Sequence, residues 1–101
     1  VEWYDELLAV ADTPIVRLNR AVAVGEADGA RAGLLALAEV DDEVPRWHAA
    51  AGHLHEHAGD LDAAARHYAV AADRATSTAE RDHLTLRAAH CRQRARQELG
   101  G

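Results

Sequence analysis

Residues 52–71 read Gly52-His53-Leu54-His55-Glu56-His57-Ala58-Gly59-Asp60-Leu61-Asp62-Ala63-Ala64-Ala65-Arg66-His67-Tyr68-Ala69-Val70-Ala71. Apolar residues recur at helical rather than strand spacing on both sides of Ala58-Gly59-Asp60, and Gly59 suits a left-handed helix cap. Two helices joined by a tight turn follow. Gly52, Ala64 and Ala71 are small, so the paired helices can approach closely, and Tyr68 fills the space beside them.

The same periodicity extends outward in both directions, and no stretch alternates as a strand would. The spacing predicts about six helices. The first covers residues 2–11, with Trp3, Leu7, Leu8 and Ala11 on one face. Thr13 caps the second and Pro14 takes its first position, and the helix runs to about Gly25. Asp28-Gly29 opens a third helix carrying Leu34, Leu35, Leu37 and Ala38, closed by the acidic run 39–43. Pro45 starts the fourth near Trp47; the fifth covers Leu61 to about Ala75; the sixth runs from Thr78 to about Glu98. Short connections make sequential helices antiparallel neighbours.

Gly52, His55, Gly59, Ala64, Tyr68 and Ala71 stand at the intervals of a tetratricopeptide (TPR) unit, a helix–turn–helix repeat of about 34 residues. Ala21, Val24, Asp28, Gly33, Leu37 and Val40 form a weaker copy at a slightly shorter period. Thr76 occupies the place of the proline that usually ends the repeat. The expected fold is therefore all-α, a TPR-like right-handed superhelical array of antiparallel helix pairs, with residues 1–101 as a single domain.

Composition narrows the function. The net charge of −6 repels a phosphate backbone over most of the surface, although residues 81–96 are locally basic, so direct nucleic-acid binding is not expected. All the basic side chains are Arg, a coding-composition signal rather than a recognition motif. No long apolar run or basic-then-apolar leader occurs, which leads to the expectation of a soluble cytoplasmic chain with no membrane contact. Cys91 has no partner for an internal disulfide and is expected to be a structural or bystander thiol. Methionine is absent even at position 1, so the chain is expected to be a piece of a longer one.

His53, His55, Glu56 and His57 raise the question of a metal site. His53 and His57 at i,i+4 can reach one ion with Glu56 nearby, but a zinc-protease helix needs its second histidine where counting from His55 places Gly59. In a TPR register His53, Glu56 and His57 face the concave groove while His55 points into the packing. Together with Arg46 they are the candidate interaction residues, and no metal or cofactor is assigned. His48, His67, His83 and His90 are expected as scattered surface or interface residues. There is no glycine-rich phosphate loop and no serine nucleophile elbow, and residues 39–43 lack the glycine and alternation of a calcium loop. Neither an enzyme nor a small-molecule substrate is expected.

A more specific likeness rests on Tyr4-Asp5-Glu6-Leu7-Leu8, on residues 13–24 with Leu18-Asn19-Arg20 at their centre, and on Asp28-Gly29. It continues through Trp47-His48, Ala51, Leu54, Gly59, Ala64, Tyr68, Ala79-Glu80-Arg81 and Leu84. These residues resemble the TPR-like C-terminal extension of one subgroup of extracytoplasmic-function (ECF) RNA polymerase sigma factors. Asp82-His83 and a longer arginine-rich helix depart from that pattern. The resemblance implies an accessory domain that modulates transcription initiation by contacting the sigma factor's promoter-reading domains or RNA polymerase. A generic TPR peptide-binding adaptor and a histidine-based metal sensor are the alternatives.

Overall fold

Thr13 opens the first described helix: its hydroxyl accepts from the Val16 amide at 3.2 Å, and Pro14 follows at the first helical position. The computed structural model of the chain describes residues 13–100. Among them are five helices and no strand: α1 (Pro14–Asp28), α2 (Ala30–Leu37), α3 (Trp47–His57), α4 (Leu61–Arg74) and α5 (Thr78–Gly100). The helix expected over residues 2–11, and with it Tyr4 and Asp5, lies outside the described residues.

Helix ends follow local chemistry, with shifts of a few residues from expectation, two of which have a clear local cause. α1 continues past Gly25 to Asp28, and Gly29 alone joins it to α2, with φ +103° and its amide bonded to Gly25 O at 3.0 Å. Glycine adopts that positive φ without the steric cost a Cβ would bring. α3 begins at Trp47 rather than Pro45, because residues 44–46 form a turn that ends with Arg46 in the left-handed region at φ 71°. Gly59, at φ +83°, closes α3, and the Asp60 amide reaches back to His55 O at 2.9 Å. Asp60 then caps α4 by accepting from the Ala63 amide, and Ser77 caps α5 by accepting from the Glu80 amide.

Connections of one to three residues turn α2 back on α1, α4 on α3 and α5 on α4, and these three pairs make the most extensive helix contacts. The core has two parts. Leu18, Ala21, Leu37, Val40, Ala50, Ala51 and Leu54 join α1, α2 and α3, whereas Leu61, Ala64, Tyr68, Leu84, Ala88, Cys91 and neighbouring alanines join α4 to α5. α3 stands between the two parts. Its Leu54 packs against Gly25 and Gly33, and its Gly52 lies under the Tyr68 ring.

Most core side chains are alanines, so each adds little transfer energy, and stability depends on backbones coming near each other. Leu37 and Leu54, both 1% exposed, contribute about 1.5–3 kcal/mol each. Gly33 shows how close the approach is: a Cβ there would stand 2.7 Å from Gly25 Cα and 3.0 Å from Ala21 O. Residues 38–46 form the one long connection among the described residues. Trp47 holds it, its indole N–H shared between Val40 O at 3.0 Å and Leu37 O at 3.3 Å.

Candidate functional site

α3 presents one flank toward α5 across the top of α4, and the space between them is a groove floored by Tyr68. A cavity of about 440 Å³ in this groove is lined by Arg46, His53, Glu80, His83 and Arg87 among others. A second, of about 510 Å³, adjoins it at the start of α3, between residues 43–49 and the α4–α5 connection. Arg46 borders both, 76% exposed at its side chain, with Nε 3.6 Å from Glu80 Oε1 on α5.

The candidate residues share a flank but not a role. His53 is half-buried, with Nε2 3.8 Å from Glu26 Oε1 of α1. His57 is exposed, and its ring meets that of His53 edge-on with centroids 4.4 Å apart. Glu56 differs from the open recognition group expected, since its side chain is only 13% exposed and already engaged. Oε1 accepts from the Tyr68 hydroxyl at 2.9 Å and from Arg87, and Oε2 accepts from Arg94 at 3.4 Å. The reason is positional: in the last turn of α3, Glu56 faces the column of Arg87 and Arg94 that α5 brings alongside.

Electrostatics follow from this geometry. Burial would raise the Glu56 pKa, but hydrogen bonds from Tyr68 and Arg87 and the charges of Arg87 and Arg94 outweigh it, and the carboxyl is held below its ordinary range. Burial and the Glu56 carboxylate push the Tyr68 hydroxyl up to about 12, so it stays protonated and donating. Arg87 also lies over the Tyr68 ring, 5.7 Å from its centroid. Cys91 is fully buried beneath the network, and burial pushes its thiol up, as does Glu56. A buried, protonated thiol is a packing group rather than a nucleophile.

The residues that carry the resemblance divide in the same way. Leu18 is buried in the core, and Asn19, Arg20 and Asp28 are exposed along α1. Gly29 makes the turn after Asp28.

The sequence offered no sign that His48 and His67 would meet. Their Nδ1 atoms are 3.0 Å apart, with Trp47 edge-on to both rings. His55 faces the packing as expected, and its ring lies parallel to that of His67, 5.2 Å between centroids. Spacing could place Arg87, Cys91 and Arg94 on one face of their helix, but their meeting with Glu56, 31 to 38 residues earlier, is tertiary. Among the described residues, no three His, Cys, Asp or Glu side chains converge in a way that could hold a metal ion, and no helix is long and apolar enough to cross a membrane. No known protein family, curated protein or solved structure matches the chain.

Proposed function

We propose that the chain is a protein-interaction domain of TPR type, and that it modulates transcription initiation as the accessory extension of an ECF sigma factor. The observation that supports an interaction domain most directly is the α3–α5 groove. Its floor and one wall are held by Tyr68 and Arg87, both bonded to Glu56, while Arg46 and His53 line it and the exposed His57 packs its ring on His53. A rigid floor with adjustable rim side chains suits an extended or helical segment of a partner. The TPR reading is supported by a close approach at a small position in each sequence copy, Gly52 against the Tyr68 ring and Gly33 against Ala21 O.

The sigma-factor assignment rests on the resemblance carried by Leu18-Asn19-Arg20, Asp28-Gly29 and the residues that continue it. Its partners are the promoter-reading sigma domains and RNA polymerase, contacted in the cytoplasm. A generic peptide-binding adaptor uses the same groove, and only the partner separates the two readings.

The test combines purified chain, core RNA polymerase and the promoter-reading domains of an ECF sigma factor from the resembled subgroup. Binding to either component, together with altered transcript yield from that sigma factor's promoter, is the expected result. The triple substitution Arg46→Ala, His53→Ala, His57→Ala should abolish the effect without unfolding the chain. Absence of binding to both components, or an effect untouched by the triple substitution, overturns the proposal.

A further inference from the structure

At the opposite flank of α3, four rings from two helices form one cluster. His48 and His67 have their Nδ1 atoms 3.0 Å apart and ring centroids 5.3 Å apart. His55 lies parallel to His67, and Trp47 is edge-on to both His48 and His67. We infer that this cluster makes the α3–α4 pairing a proton-sensitive joint, closed while the His48–His67 hydrogen bond survives and loosened when both imidazoles are charged.

The chemistry of the bond sets the condition. Two Nδ1 atoms share a proton only if one ring donates and the other accepts, so the acceptor must be neutral with its proton on Nε2. A single charge is compatible with that arrangement, but two are not, because the accepting lone pair is lost and two cations are left a hydrogen bond apart. His55 also stacks on His67, so a charge there adds to the repulsion, offset in part by Asp60, whose Oδ2 is 4.0 Å from His55 Nδ1.

The surrounding charges are mixed. From α4, Arg74 faces His48 and Arg66 faces His67, both opposing protonation. Asp42 and Glu43 of the 38–46 connection favour it at His48, and Asp60 of the α3–α4 turn favours it at His67. Burial is the largest influence on each ring, and both are held below the ordinary histidine range. A base with a depressed folded pKa stabilises the fold fully above its unfolded value, near 6.5, and the contribution is lost as pH falls from there toward the folded value. Acidification through the window just below neutrality therefore weakens α3 against α4. The same two helices carry Glu56 and Tyr68, so the groove floor depends on the joint whatever partner the groove takes.

Thermal melts of the whole chain between pH 7.5 and 5.5 test this. The wild-type midpoint should fall on the order of 5 °C across the window and recover when the pH is restored. His48→Gln and His67→Gln should each flatten the fall, while His90→Gln, on the exposed side of α5, should keep it. Wild-type-like falls in both cluster variants overturn the inference, as does a wild-type midpoint that depends on chelator. If a cluster variant does not fold, the wild-type imidazole resonances decide: titration of His48 and His67 below the free-histidine range supports the joint, and titration within that range overturns it.

Discussion

The Tyr68 hydroxyl donates to Glu56 Oε1 at 2.9 Å, tying the middle of α4 to the last turn of α3. Arg87 and Arg94 reach the same carboxylate from α5, so one side chain joins three helices. The region combines a rigid joint with an open rim, and the two can be separated by substitution.

Glu56→Ala should cost about 1–3 kcal/mol, because the Tyr68 hydroxyl loses its acceptor and two arginines their counter-charge at a mostly covered site. The half-exposed arginines keep the figure below that of a fully buried pair. Tyr68→Phe should cost about 0.5–1.5 kcal/mol, and the double substitution less than the sum of the two. Urea denaturation of the four proteins measures both values and their coupling.

Acid titration should expose Glu56 separately from the histidine joint. Its folded pKa lies below its unfolded one, near 4.5, so its stabilisation is present above that value and is lost as pH falls through the folded value. Glu56→Gln should therefore flatten the stability curve below about pH 4.5 and leave its shape between pH 5.5 and 7.5 unchanged. A Gln variant with the wild-type acid limb would contradict the assignment.

Two glycines should respond differently to alanine although alanine favours a helix by about 1 kcal/mol over glycine. A Cβ at Gly33 meets Gly25 Cα and Ala21 O, backbone atoms that cannot step aside, whereas one at Gly52 stands 2.9 Å from the Tyr68 ring. Overpacking typically costs about 1–3 kcal/mol. Gly33→Ala should lie at or above the top of that range, and Gly52→Ala lower because the ring can tilt. Chemical denaturation ranks them.

Arg46 holds a left-handed backbone at φ 71°, a conformation that costs a residue with a Cβ about 1–2 kcal/mol. Its ion pair with Glu80 is largely exposed and offsets little of that. Arg46→Gly should leave the melting temperature unchanged or raise it, whereas Arg46→Ala should lower it. If Arg46 serves the groove, both substitutions should weaken partner binding alike.

Helix identity and most helix ends were written locally. Thr13 with Pro14, Gly59 before Asp60, and apolar residues at helical spacing act through bonds within a few residues, so the all-α class and the five described helices were legible without coordinates. Even the close approach of α1 and α2 was marked in advance by a small residue at Gly33, and the seat of the Tyr68 ring by Gly52. The tertiary structure alone decided which side chains meet across helices. Glu56 faces α5, and its distant arginines turn an expected open recognition group into a structural joint. His48 and His67, expected as scattered residues, share one hydrogen bond because the α3–α4 turn brings positions nineteen residues apart to within 3.0 Å. Helical periodicity assigns a residue to a face; what stands opposite that face depends on how neighbouring helices are set against each other, and in this chain that is governed by long-range packing of small side chains.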